Sequence, residues 1–142
     1  MAAPHAPLVG FRNAVDPTPA ELRTWAYAPD AVPLSSLPAD WDLLLAGEAL
    51  IGTLFALAKD PACPARRFAL HCLHIYAADA IRTGFRSHSK RRLRKMLDHA
   101  EHGDDAIRLW SANCRALLAQ PDLFSYEDWC AGGLVRTPRH IV

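Results

Sequence analysis

The six residues from Lys90 to Lys95, KRRLRK, carry five positive charges around a single leucine. Cations at that density bind anions: the carboxylates of another protein, nucleic-acid phosphates or a small polyanion. Placed on a helix, Leu93, Met96, Leu97 and Ala100 form one apolar stripe, and Lys90, Arg91, Arg92, Arg94 and Lys95 cover the opposite side. A merely solvated face usually alternates sign at four-residue spacing. Here Lys90/Arg94 and Arg91/Lys95 are like-charged, and only Arg94/Asp98 is complementary. The cations also crowd the N-terminal turns while Asp98 and Glu101 sit near the C-terminus, an arrangement that costs roughly 0.3–1 kcal/mol per misplaced charge at low salt. The competing reading is neutralisation within the fold, because Asp104 and Asp105 follow closely.

A second group of polar residues extends this surface. Along the apolar segment 64–83, Arg67, His71, His74, Ala78 and Arg82 fall on one side, and Arg86 lies just beyond its end. The candidate binding surface is therefore Arg67, His71, His74, Arg82, Arg86, Lys90, Arg91, Arg92, Arg94 and Lys95. An acidic surface on a partner protein is the leading ligand. Nucleic acid comes second, since the basic run has no interleaved aromatics for stacking and no glycine-rich phosphate loop.

Other residue types suggest other chemistry. His71-x-x-His74 and His99-x-x-His102 each place two imidazoles on one helix face, and Cys72 lies between the first pair. Neither the Glu-x-x-His pattern of di-iron bundles nor zinc-finger cysteine spacing accompanies them, so they read as surface histidines and no metal is assigned. Asp79 falls among Phe68, Cys72 and Ile75 on the apolar side, where a carboxylate needs a partner; a neighbouring helix end or Arg82 would serve. Glu48 poses the same question. No nucleophile elbow, phosphate loop, dinucleotide fingerprint or zinc-protease motif occurs, so no catalytic residue or cofactor is assigned. An enzyme centred on Glu48, Asp79 or the histidines is the third reading.

The elements that must position these groups follow from composition and periodicity. The 142 residues fit one domain, and a net charge of +1 gives no global attraction to nucleic acid or membrane. Arginine outnumbers lysine 13 to 3, a bias of GC-rich, chiefly bacterial genomes that weakens arginine content as evidence for anion binding. The N-terminus lacks the n- and h-regions of a secretory signal. The longest apolar stretch, 41–58, contains Asp42 and Glu48, which favours a buried helix over a membrane span. Cys63, Cys72, Cys114 and Cys130 form no CxxC pair and read as reduced, buried thiols. Together these features predict a cytoplasmic protein that does not enter membranes.

Residues 1–17 hold three prolines and little periodicity, so they form an arm; residues 18–142 form a single helical domain. TPAE at 18–21 is a capping box opening a short helix that ends before Pro29, and residues 29–39 read as loop. Helices are then expected at about 40–59, 64–84 with Gly84 as a left-handed cap, 89–102 and 105–120, with a short piece at 125–131. No segment alternates as a strand does. The class is all-α, with five to six helices.

Shifting the chain by 42 residues superposes like on like. Ile51, Leu54, Phe55 and Ala58 fall on Leu93, Met96, Leu97 and Ala100; Ala65, Arg66, Ala69 and Cys72 fall on Ile107, Arg108, Ser111 and Cys114. The stretch LFALAKDPACPARRFALHCL, 54–73, resembles a HEAT-repeat unit: an apolar helix, an Asp-Pro turn, an arginine, then small residues three and six positions on. The second unit, 96–118, is similar but has Gly-Asp-Asp in place of Asp-Pro and Arg115 where a leucine is expected. The resemblance covers about residues 48–118. It implies two stacked helical hairpins with capping helices at the ends, and a tying role between units for Asp60, Arg66 and Arg108. Tyr126 and Trp129 would close the C-terminal end. The combined expectation is a small interaction protein, immunity- or antitoxin-like by analogy of fold and size.

Overall fold

Local signals place most helix ends, and long-range packing decides the rest. The computed structural model describes residues 10–123. They form α1 (Pro19–Ala26), α2 (Trp41–Leu45), α3 (Ile51–Lys59), α4 (Arg66–Arg82), α5 (Lys90–Ala100) and α6 (Asp105–Ala119), with no strand among the described residues. Short 3₁₀ turns occupy Pro29–Ala31, Leu34–Ser36 and Pro121–Leu123. The class is all-α, as the sequence predicts. Residues 1–9 of the arm, the expected piece at 125–131, Cys130 and the Tyr126/Trp129 cap lie outside the described residues.

The start of α1 is the predicted capping box: Thr18 Oγ1 accepts from the Glu21 amide at 3.1 Å, and the Thr18 amide donates to Glu21 Oε1 at 2.9 Å. Ser89 caps α5 by accepting from the Arg92 amide at 3.0 Å, and Asp104 caps α6 by accepting from the Ile107 amide at 3.4 Å. Gly84 (φ 65°) ends α4 in the left-handed region, and Phe85 follows it there at φ 62°. Gly103 is required for a different reason. A Cβ on it would lie 2.0 Å from Ile107 Cγ2, so only glycine lets α5 turn this tightly into α6.

The helix expected over 40–59 is instead two, broken across residues 46–50. Gly47 supplies a weak point. The break lets α2 bury Trp41 and Leu45 and α3 bury Ile51, Leu54 and Phe55, with both helices packed on α4. It also places Glu48 in the turn between the two helices.

Helix α4 is the centre, packed against α2, α3 and α6, while α1 lies on α3 and α5 on α6. At one end an aromatic cluster joins Phe11, Trp25, Trp41 and Phe68, with the Trp25 and Trp41 rings 5.0 Å apart and Trp41 stacked on Phe68 at 5.2 Å. The Trp25 indole donates to the Val32 carbonyl at 2.8 Å and that of Trp41 to Ala14 at 2.7 Å. These bonds fasten the proline-rich loop and residues 11–14 of the arm to the helical body.

Every apolar position matched by the 42-residue shift is buried, from Ile51/Leu93 to Cys72/Cys114. The small residues Ala69 and Cys72 lie on α4, and Ser111 and Cys114 on α6, two helices that pack together. The two matched arginines differ. Arg66 donates from Nε to the Ala58 carbonyl at 2.8 Å and from Nη2 to Asp104 at 2.5 Å, joining α3 to the cap of α6. Among the described residues, Arg108 bonds only Asp105, three residues before it on the same helix. Asp60 accepts from the Ala62 amide at 2.9 Å and from the Tyr27 hydroxyl at 2.5 Å, tying the α3–α4 turn back to α1.

Candidate functional site

The site begins with α5, more strongly amphipathic than α1, α3, α4 or α6. Leu93, Met96, Leu97 and Ala100 are buried, while Lys90, Arg91, Arg92, Arg94 and Lys95 are exposed, as the periodicity predicts. The deciding question is where the nearby carboxylates go. Asp98 does not meet Arg94: Arg115, on α6, reaches Asp98 Oδ1 at 3.2 Å and Glu101 Oε2 at 3.1 Å. Asp104 is held by Arg66 and Asp105 by Arg108. The acidic groups that would have neutralised α5 are thus committed to other arginines. Among the described residues, no carboxylate meets Arg86, Arg91, Arg94 or Lys95 within ion-pair distance.

Arg92 is the exception in the run. It donates to the Glu48 carbonyl at 3.0 Å, and its Nε stands 3.7 Å from Glu48 Oε1. Glu48 also accepts from the Ser89 amide at 3.1 Å and from the hydroxyl of the fully buried Tyr76. Partial burial pulls the Glu48 pKa up, but the Tyr76 hydroxyl, the Ser89 amide and Arg92 outweigh it and hold the carboxyl below its usual range. Burial and then Glu48 push the Tyr76 phenol up. The loop at 46–50, the middle of α4 and the start of α5 are pinned together at this one carboxylate. Asp79 sits elsewhere in α4 and takes Arg82 at 2.9 Å, so Glu48 and Asp79 serve separate partners.

Between α3 and α5 runs a groove of about 280 Å³. The buried Phe55 and Met96 line it with apolar surface, the exposed Lys59 from α3 and Arg92, Lys95 and His99 from α5 line it with polar groups, and Gly52, in the first turn of α3, completes the lining. Among the described residues, no carboxylate lines it. Lys59 stands over the Phe55 ring at 4.8 Å, and Lys90 over Phe85 at 5.5 Å. Neither Lys59 nor the groove emerges from the sequence reading. The available signal was the 42-residue shift, which already matches α3 to α5, combined with an exposed glycine inside a helix.

The proposed strip along α4 does not form a continuous surface. Arg67 is exposed, but His74 is only 2% exposed and Ala78 is fully buried. His71 is half-buried and turned 2.8 Å from Asp42 Oδ2, and Arg82 is engaged by Asp79. His74, expected at the surface, is inside because α4 is packed by three other helices. Spacing of three or four residues shows that side chains share a face, and says nothing of whether that face is covered. The basic surface that remains is α5 with Arg86 and Lys59.

Cys63, Cys72 and Cys114 are free and buried, and burial raises each thiol pKa, which disfavours a thiolate nucleophile. Among the described residues, no group of three or more histidine, cysteine or acidic side chains is placed to hold a metal ion. No helix among them is long and apolar enough to cross a membrane. Compared with known proteins, the chain matches no family model, no curated protein and no solved structure.

Proposed function

We propose that this chain is a small helical interaction protein that binds an acidic surface of a partner protein through α5, with Arg86, Lys90, Arg91, Arg94 and Lys95 as the contacting cations. The observation that carries this reading is the commitment of Asp98, Glu101, Asp104 and Asp105 to arginines off the basic face: among the described residues only Arg92 of that face meets a carboxylate, Glu48, and Arg86, Lys90, Arg91, Arg94 and Lys95 meet none. Like charges held together on a rigid helix are an unfavourable arrangement relieved by an acidic partner, and they speed its encounter. Two HEAT-like hairpins, α3–α4 and α5–α6, would present the face as a stacked scaffold. Neutralising a target in the manner of an immunity or antitoxin protein fits this geometry.

The test is affinity purification with the wild type and with a double charge reversal, Arg91→Glu with Arg94→Glu, beside titration of labelled DNA and RNA across salt. The expected result is a protein species retained at moderate salt by the wild type and lost by the variant, with no oligonucleotide binding. An oligonucleotide bound with a log–log salt slope of about four to six released ions would replace this reading with nucleic-acid binding.

A further inference from the structure

We infer that the α3–α5 groove is a specificity pocket for one apolar side chain of an acidic partner segment: an aromatic or long aliphatic anchor flanked by aspartate or glutamate. The inference rests on the basic-face reading and adds what that face selects. Three features carry it.

The first is charge. Lys59 and Lys95 face the rim from two helices without a carboxylate in ion-pair distance, Arg92 beside them is shared with Glu48, and no carboxylate among the described residues lines the groove, so acidic neighbours on a bound segment complement it. Arg92 is already ordered by its bond to the Glu48 carbonyl, which lowers the entropic cost of using it. The second is size. At about 280 Å³ the groove falls just under the roughly 300–1,000 Å³ of small-molecule and cofactor sites, and its Phe55/Met96 lining suits a single side chain. The third is Gly52. A Cβ there would meet nothing within 4 Å, and its φ lies outside the left-handed region, so neither backbone conformation nor packing among the described residues requires glycine. Gly52 is the second residue of α3, and glycine there leaves the unfolded chain more freedom to lose than alanine would. What its absence of a side chain provides is close approach of a second backbone to the α3 wall of the groove.

Nucleic acid fits the groove less well, because Phe55 is the one aromatic ring among its lining residues and a strand of bases needs a series of stacking platforms. A second copy of the chain would have to bring its own acidic, anchored segment.

The experiment is selection of a display library of random twelve-residue peptides against the full chain, followed by anisotropy of the selected peptides on wild type, Gly52→Met and Lys95→Glu. Gly52→Met puts a side chain into open space beside the groove, and Lys95→Glu changes an exposed residue, so the fold has two independent controls by circular dichroism. The expected consensus has one aromatic or long aliphatic position with at least two neighbouring acidic residues. Alanine at the anchor, Gly52→Met and Lys95→Glu should each weaken binding about tenfold or more, the worth of burying one apolar side chain or of reversing one rim charge. Acidic peptides with no common apolar position, or binding untouched by Gly52→Met, would overturn the groove inference while leaving the basic-face reading intact. Peptides without acidic enrichment would overturn both. Self-association that competes with the peptides and is lost in Gly52→Met would assign the groove to a second copy and overturn the inference as stated.

Discussion

Replacing Arg66 by alanine should destabilise this protein far more than replacing Arg108, although the two arginines occupy the same place in the 42-residue repeat. The Arg66 side chain is 17% exposed, and its Nε bonds the carbonyl of Ala58, a fully buried residue in the last turn of α3. Carbonyls there have no partner within their own helix, so losing the guanidinium leaves a buried acceptor unmet. A hydrogen bond to a charged donor is worth about 1.5–3 kcal/mol. The pair with Asp104, whose side chain is 40% exposed, adds about 0.2–1 kcal/mol after allowance for solvent screening. The sum is about 2–4 kcal/mol, or about 6–12 °C in Tm for a chain of this length. Arg108 pairs at 2.5 Å with an Asp105 that is 98% exposed, and should cost at most about 0.5 kcal/mol. Urea unfolding followed by circular dichroism gives both values. Asp104→Asn is the control, because asparagine still caps α6 but carries no charge; in a double-mutant cycle it should recover only the small ionic part. If Arg66→Ala and Arg108→Ala cost the same within about 0.5 kcal/mol, the structural distinction drawn between them is wrong.

Gly52→Ala should raise stability by about 0.5–1 kcal/mol, measured in the same urea assay, because the added methyl meets open space and the unfolded chain loses freedom. Tyr76→Phe removes a donor from Glu48 and should cost about 1–2 kcal/mol; the Glu48 pKa, followed by NMR, should rise towards the ordinary carboxylate value. Four carboxyls, Glu21, Glu48, Asp60 and Asp104, have folded pKa values held below their unfolded ones. A depressed pKa means that the folded state binds fewer protons, so their contribution is present above about pH 4 and is lost as pH falls through the folded values. Thermal melts should therefore show Tm falling steeply below about pH 4, and a flat profile there would contradict the carboxylate assignments. Cys63, Cys72 and Cys114 should resist thiol reagents at pH 8 in the native state and label only in denaturant, as read by peptide mass mapping.

Much of the helical architecture was written locally. The capping box at Thr18–Glu21, the left-handed end at Gly84, the amphipathic stripe of Leu93, Met96, Leu97 and Ala100, and the burial of both sets of repeat positions are consequences of side-chain spacing and backbone preference. These depend on residues at most a few turns apart, so the sequence contains all the information they need. The break at 46–50 was not legible in the same way. Residues 41–58 read as one apolar helix, and only packing of two short helices on α4 makes two pieces better than one.

The sequence by itself determined that this is an all-helical chain with a one-sided basic helix. Tertiary structure decided what that helix faces. Arg115 and Asp98 lie 17 residues apart, Arg66 and Asp104 38, and Arg92 and Glu48 44, so no local pattern says which cation takes which carboxylate. The same ignorance placed His74 on a surface that α4's neighbours cover, and hid a groove whose two walls are a repeat length apart. Charge pairing and burial act through space at a few ångströms, and the fold alone sets which residues share that space.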